Sequence, residues 1–235
     1  MGLCTCVRLG LDAVTTVAEF AELRGPGGFP GVFGCVDGTH IPIRAPPKDS
    51  GSYYNRKGFH SILLQVVCDA HFQFLDCFVG WPGSANDARV WSNSPTGKML
   101  HSNPDYIPVN SHLLGDSAYP LNAYLLTPYR DNGHLTCKQK NYNVKLSSKR
   151  VVVEQAIGLL KSRFRRLRYV DVNTPETAAK MTMTACILHN ICLRDTGYNN
   201  SEVLVEEQDD EEEDGSLEVS YSLASRKRDA IADGL

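Results

Sequence analysis

Residues His60–Trp81 read HSILLQVVCDAHFQFLDCFVGW, two apolar runs with almost nothing between them. The runs His60–Ala70 and Phe72–Trp81 predict two strands of an antiparallel hairpin. Upstream, VFGCVDGTHIPI (Val32–Ile43) predicts an earlier strand, set off from the start of the chain by the breaker RGPGGFPG (Arg24–Gly31). Residues 1–24 read as one amphipathic helix. Downstream, Ser84–Leu100 predicts a helix with Ser84 as its N-cap, His112–Pro120 a short fourth strand, and Tyr124–Tyr129 a fifth. Residues 131–143 are polar and read as a loop. SSKRVVVEQAIGLLKSRFRRLRY (Ser147–Tyr169) is helical: Val153, Ala156, Ile157, Leu160, Phe164 and Leu167 recur at helical spacing as a core stripe. Arg150, Glu154, Gly158, Lys161 and Arg165 form the stripe beside it. A last helix, about Pro175 to Arg194, has Thr174 as N-cap and Pro175 at its first position. Three antiparallel strands, then helices alternating with further strands, imply an α/β chain with a mixed sheet covered by helices.

The 235 residues suffice for one substantial α/β domain or two small ones, and an apolar content of 42% supports a packed core. No apolar run approaches the roughly 18 residues of a membrane span. The start, MGLCTCVRLGLDAVTTV, lacks a secretory pattern, and Cys6 stands where a myristoylation motif needs Ser or Thr. It reads as truncated. The expected organisation is a partial N-terminal helical segment over residues 1–30, one domain over 31–196, and an acidic, disordered tail over 197–235. None of the eight cysteines forms a CxxC pair; Cys35, Cys68 and Cys77 lie in apolar runs and read as reduced core thiols of an intracellular protein. CILHNIC (Cys186–Cys192) reads as a packed helix rather than a metal site.

The net charge of −3 averages two unlike parts. Residues 202–218 hold ten acids, whereas residues 1–201 hold 21 Lys and Arg against 15 Asp and Glu. From Lys138 to Arg168 there are ten basic residues and one acid, Glu154. Such a field suits a polyanion. A solvated basic face is the plainer account of the charge alone. Three acids stand at the ends of elements: Asp37 in GCVDGTH, Asp116 in LLGDSAYP and Glu154 on the basic helix, 79 and 38 residues apart. Singly, these read as a turn dipeptide, a turn cap and an intrahelical ion-pair partner. Together, two strand-end aspartates and a helical glutamate suit Mg²⁺ or Mn²⁺ and an in-line phosphoryl displacement, with the neighbouring cations holding phosphate.

These pieces resemble the DDE-type endonuclease domain of PIF/Harbinger transposases and of the nucleases derived from them. The matching stretches are GCVDGTHIPI, YYNRKGFHSILLQVVCDA, WPGSANDARVW, LLGDSAYP, LLTPY, VVVEQAIGLLKSRFRRL and ACILHNI, in family order over roughly residues 30–195. The resemblance implies an RNase H-like fold and metal-dependent DNA cleavage with Asp37, Asp116 and Glu154 as the catalytic, metal-binding acids. Asp87 and His40 stand as candidate supporting residues. Arg56, Lys57, Arg150, Lys161, Arg163, Arg165 and Arg166 are the candidate DNA contacts. Because only about 30 residues precede the first strand, the resemblance also implies a separate Myb-like DNA-binding partner. The basic clusters Lys161–Arg168 and Arg226–Arg228 are compatible with nuclear import; the expected location is the nucleus, with some cytoplasmic protein. The alternative is a domesticated DNA- or protein-binding module that keeps the acids without turnover.

Overall fold

The computed structural model describes residues 5–6, 17–18, 20, 28–103, 106–196 and 221–235. Six strands form one mixed sheet: β1 (Thr5–Cys6), β2 (Val32–Pro42), β3 (Ser61–Cys68), β4 (Phe74–Pro82), β5 (His112–Leu114) and β6 (Leu125–Leu126), in the order β1-β4-β3-β2-β5-β6. The β2–β3 and β3–β4 pairs are antiparallel, and β2–β5 and β5–β6 are parallel. This is the mixed α/β sheet expected of an RNase H-like domain. All eight residues of β3 are buried, so its apolar run is continuous rather than alternating. Residues 5–6 depart from the expected N-terminal helix: they pair antiparallel with β4 at Phe78 and Val79. Residues 17, 18 and 20 are helical, and Phe20 is buried in the core.

Helices cover both faces. On the front, α4 (Cys137–Arg163) packs on β2, β3 and β5, and α5 (Pro175–Thr196) packs on β4 and β3. Their core includes Cys35, Ile41, Ile62, Leu64, Val153, Ala156, Leu160 and Ala178. On the rear, α2 (Asp87–Asn93) and α3 (Pro95–Ser102) cover Val36, Val67 and Leu113 with Trp91 and Leu100. A short turn of helix, α1 (Ser50–Tyr53), lies in the β2–β3 connection.

Local chemistry explains where the elements differ from expectation. The single helix expected over Ser84–Leu100 is two. Asn86, not Ser84, caps α2 by accepting from Arg89 N at 2.9 Å. Ser94 then closes α2 by donating to Trp91 O and opens α3 by accepting from Gly97 N, with Pro95 at the first helical position, where its missing N–H costs nothing. The expected loop over residues 131–143 holds the start of α4 from Cys137, because Thr136 and Gln139 form a reciprocal capping box and Tyr142 and Leu146 are buried anchors. At its other end α4 stops at Arg163, and a 3₁₀ turn over Arg165–Arg168 carries the chain to Val170, which bridges Ile43 beside β2. β5 and β6 are shorter than expected.

Residues 197–220 of the expected disordered tail lie outside the described residues. Tyr221–Gly234 departs from that expectation as helix α6. It is held by the Arg228 guanidinium, 3.9 Å from the centre of the Tyr129 ring, by the Tyr129 hydroxyl donating to Asp229, and by Lys227 donating to the carbonyls of Ser111 and Ala123. Composition gave no sign of these long-range partners.

CILHNIC behaves as the packed helix it was read to be. Cys35, Cys68, Cys77 and Cys186 are buried without disulfide bonds. His189 is fully buried, stacks on Phe74 at 4.7 Å and lies 3.0 Å from Phe72 O; burial is the main reason its pKa falls to about 4. Next to it, the Asn190 amide accepts from Phe74 N at 2.9 Å and donates to Phe74 O at 2.8 Å, satisfying both backbone groups of a buried β4 residue. Asn190→Leu leaves both groups buried and unpaired. We expect a loss of about 2–3 kcal/mol, read from the urea midpoint at constant m-value.

Candidate active site

Strand alternation sorts the side chains of β2 between the two faces. Cys35 and Ile41 belong to the front core and Val36 to the rear, so Asp37 and Thr39 face forward, and Gly38 and His40 face backward. Asp37 lies in a regular strand rather than in a turn, and its carboxylate accepts from Gly38 N at 2.9 Å. The neighbouring parallel strand β5 pairs Leu114 with Cys35, and Asp116 follows two residues beyond Leu114, just past the end of the strand beside the one that carries Asp37. Asp116 opens a turn in which its carboxylate accepts from Ala118 N at 3.0 Å.

Helix α4 crosses in front of this pair. Arg150, Glu154 and Lys161 fall one turn and then two further turns apart on one side of it. Arg150 is the hub: it is 8% exposed, with Nη2 3.6 Å from Asp37 Oδ1. Burial works against its charge, but Asp37, Asp116 and Glu154 together outweigh burial and raise its pKa. The guanidinium thus pairs with Asp37 and lies in the electrostatic reach of Asp116 and Glu154. Its Nε and Nη2 have no hydrogen-bond partner among the described residues. Among those residues, too, no three Asp, Glu, His or Cys side chains close into a ready cage for a metal ion. The carboxylates are grouped around a cation rather than around each other.

Lys161 donates to Thr39 Oγ1 at 2.7 Å. Burial lowers its pKa to about 8; Asp37 opposes that shift and Lys57 adds to it. The exposed Lys57 is carried toward Lys161 by the tight turn that Gly58 N closes on Asn55 O, with Gly58 at φ +84°. Gly158, between Glu154 and Lys161 on the helix, is exposed and faces open space.

The other candidates are placed differently. His40 points to the rear, where its Nδ1 lies 2.9 Å from Ser61 Oγ and its ring meets Phe59 edge-on. Burial, then Lys57 and Lys161, lower its pKa to about 4. Asp87 stands at the start of α2, also on the rear, against Gly38. Arg163 is taken up by α5, its Nη1 3.3 Å from both the His189 carbonyl oxygen and the ring nitrogen Nδ1. Arg166 donates to Asp171 O, while Arg56 and Arg165 are exposed. Sequence reasoning passed over Thr39 and Tyr119. The first shares the Asp37 face by simple alternation. The second follows Asp116 by three residues, a spacing that gave no warning of its burial.

The description "DDE superfamily endonuclease" matches residues 36–190, and the chain belongs to that family. It is similar to "Putative nuclease HARBI1" of Rattus norvegicus, with 36% identity over 73% of this chain and 49% of the relative. The Homo sapiens protein of that name is 34% identical over 80% of this chain and 53% of the relative. "Protein ALP1-like" of Arabidopsis thaliana is 29% identical over 88% and 54%. The chain therefore spans about half the length of the curated relatives it matches. No solved structure matches it.

The Lys161 geometry has a thermodynamic signature. Its folded-state pKa of about 8 lies below the ordinary 10.5, so the unfolded chain holds the proton more tightly. The charge opposes folding fully below pH 8, and this opposition is lost as the pH rises through 8 toward 10.5. Against a Lys161→Met variant, the wild type should gain relative stability between pH 8 and 10. Paired urea midpoints at pH 7, 8.5 and 10 check the sign.

Proposed function

We propose that the chain is the catalytic part of a DNA endonuclease that depends on Mg²⁺ or Mn²⁺ and uses Asp37, Asp116 and Glu154. The observation that carries this reading is the parallel pairing of β2, which carries Asp37, with β5, which leads to Asp116, with both acids and Glu154 in the electrostatic reach of the same buried guanidinium. The three acids supply the hard oxygen donors that such a cation takes, and they would hold it once drawn together around it. Bound there, the metal supplies an activated water and a stabilised leaving oxygen for in-line displacement at phosphorus.

The chain's own residues do the rest. Arg150 keeps three carboxylates together that would otherwise repel one another. Lys161 and Lys57 offer positive charge on the same side, and the bare helix surface at Gly158 leaves room for a phosphate backbone to approach. Arg165 and Arg56 extend the basic surface as exposed contacts, whereas the engagement of Arg163 with α5 suits it to packing. Hydrolysis in this sense leaves a 3′-hydroxyl. Target selection belongs in this reading to a separate Myb-like DNA-binding protein, and the site of action is the nucleus.

A second reading rests on Arg150. A guanidinium already neutralising the acids, with no ready ion cage among the described residues, also suits a DNA-binding module without turnover. Nicking of supercoiled plasmid by the purified chain in Mn²⁺ separates the two. On the nuclease reading, Asp116→Asn and Glu154→Gln each raise the barrier by about 3 kcal/mol, a loss of roughly 100-fold in rate, with unchanged melting temperature. Retention of DNA by a chain that never nicks it, alone or with a Myb-like partner, selects the binding module.

A further inference from the structure

The rear face of the sheet behind the paired aspartates is unusual. Each catalytic aspartate has a glycine beside it, Gly38 after Asp37 and Gly115 before Asp116. Both glycines leave a gap on the rear, and both gaps are filled. A side chain on Gly38 would fall on the Asp87 carboxylate. One on Gly115 would press to within 3.1–3.2 Å of Tyr119, whose ring packs edge-on against Trp91 of α2 with centroids 6.1 Å apart. Tyr119 N also donates to Asp116 O at 3.3 Å, folding the residue back under the turn it follows.

The Tyr119 hydroxyl is buried and has no hydrogen-bond partner among the described residues. The amide of Gln65, the cross-strand partner of Gly38, is likewise buried and unpartnered at both its nitrogen and its oxygen, so the polar layer reaches β3. Buried polar groups without partners are costly, and a fold keeps them where they do other work.

We propose that Asp87 and Tyr119 form a positioning strut on the rear face that sets the spacing of Asp37 and Asp116 across β2 and β5. The inference rests on the nuclease reading above. Asp87 bears on β2 through Gly38, Tyr119 bears on β5 through Gly115, and α2 ties the two together through Trp91. Neither residue touches substrate; each acts through the aspartate beside its glycine.

The test uses Tyr119→Leu, which takes the ring off Gly115 and Trp91, together with Asp87→Ala, which empties the gap at Gly38, and the double variant. Tyr119→Phe, which keeps the ring in place, is the control. Mn²⁺ affinity by calorimetry is read well below the melting temperature of each variant. Each single variant should weaken Mn²⁺ binding about tenfold, and Tyr119→Phe should bind as the wild type does. The double variant should be no weaker than the weaker single, because one strut is broken in either case. Wild-type affinity in Tyr119→Leu, or losses that multiply in the double variant, overturns the strut. Absence of Mn²⁺ binding in the wild type sinks the nuclease reading instead. Amide exchange by mass spectrometry in metal-free protein then decides the strut alone: faster exchange in Tyr119→Leu than in Tyr119→Phe at both 37–39 and 115–118 supports it, and equal exchange overturns it.

Discussion

The parallel pairing of β2 with β5 is the constraint on which the rest depends. Two short stretches of backbone, locked in one register, bring the strand that carries Asp37 beside the strand that leads to Asp116, although 79 residues separate the two acids in the chain. A slip of one residue would turn Asp116 to the other face and dissolve the site. The pairing is short, since β5 has three residues and β6 two. It survives because Leu113, Leu114, Leu125 and Leu126 are buried. Burial of leucines on both faces does here what strand length does in larger sheets.

The Asp37 carboxylate is paired with a cation that the chain supplies itself. Arg150 reaches the acids from a helix that crosses the sheet, so helix, strand and neighbouring strand are tied by charge as well as by apolar packing. A buried ion pair contributes little net stability, because desolvation offsets most of the attraction. Its value lies in geometry: it holds groups of like charge at a common point before any ligand arrives. Lys161, partly buried and bonded to Thr39, continues the same surface with a charge that is less firmly held.

Much of this was legible in the residues. The hairpin His60–Trp81, the strand bearing Asp37 and the helix bearing Glu154 follow from periodicity. What stayed hidden depends on partners far away in the chain. Ser94 ended one helix and began another because Pro95 follows it. Thr136 and Gln139 started α4 inside a polar stretch. The last fourteen helical residues look like solvated tail in composition, yet they find Tyr129, Ser111 and Ala123 about 100 residues away. His40 looked like a site residue because it stands three positions from Asp37, but an odd offset on a strand means the opposite face. The role of Arg150 was hidden for a related reason: a helical arginine four residues before a glutamate reads as a surface ion pair until the strand beneath it is known.

The docked C-terminal helix bears on how the chain is read by other proteins. Arg226, Lys227 and Arg228 form a short basic run, but two of the three are committed, Lys227 to backbone carbonyls and Arg228 to an aromatic ring. A carrier that recognises such a run as an extended peptide has to compete with this docking. Its apparent affinity falls by the fraction of molecules in which the helix is undocked. Exposure of the run is then set by a local opening equilibrium of the fold, and a change that loosens Tyr129 from Asp229 shifts that equilibrium without touching a single basic residue.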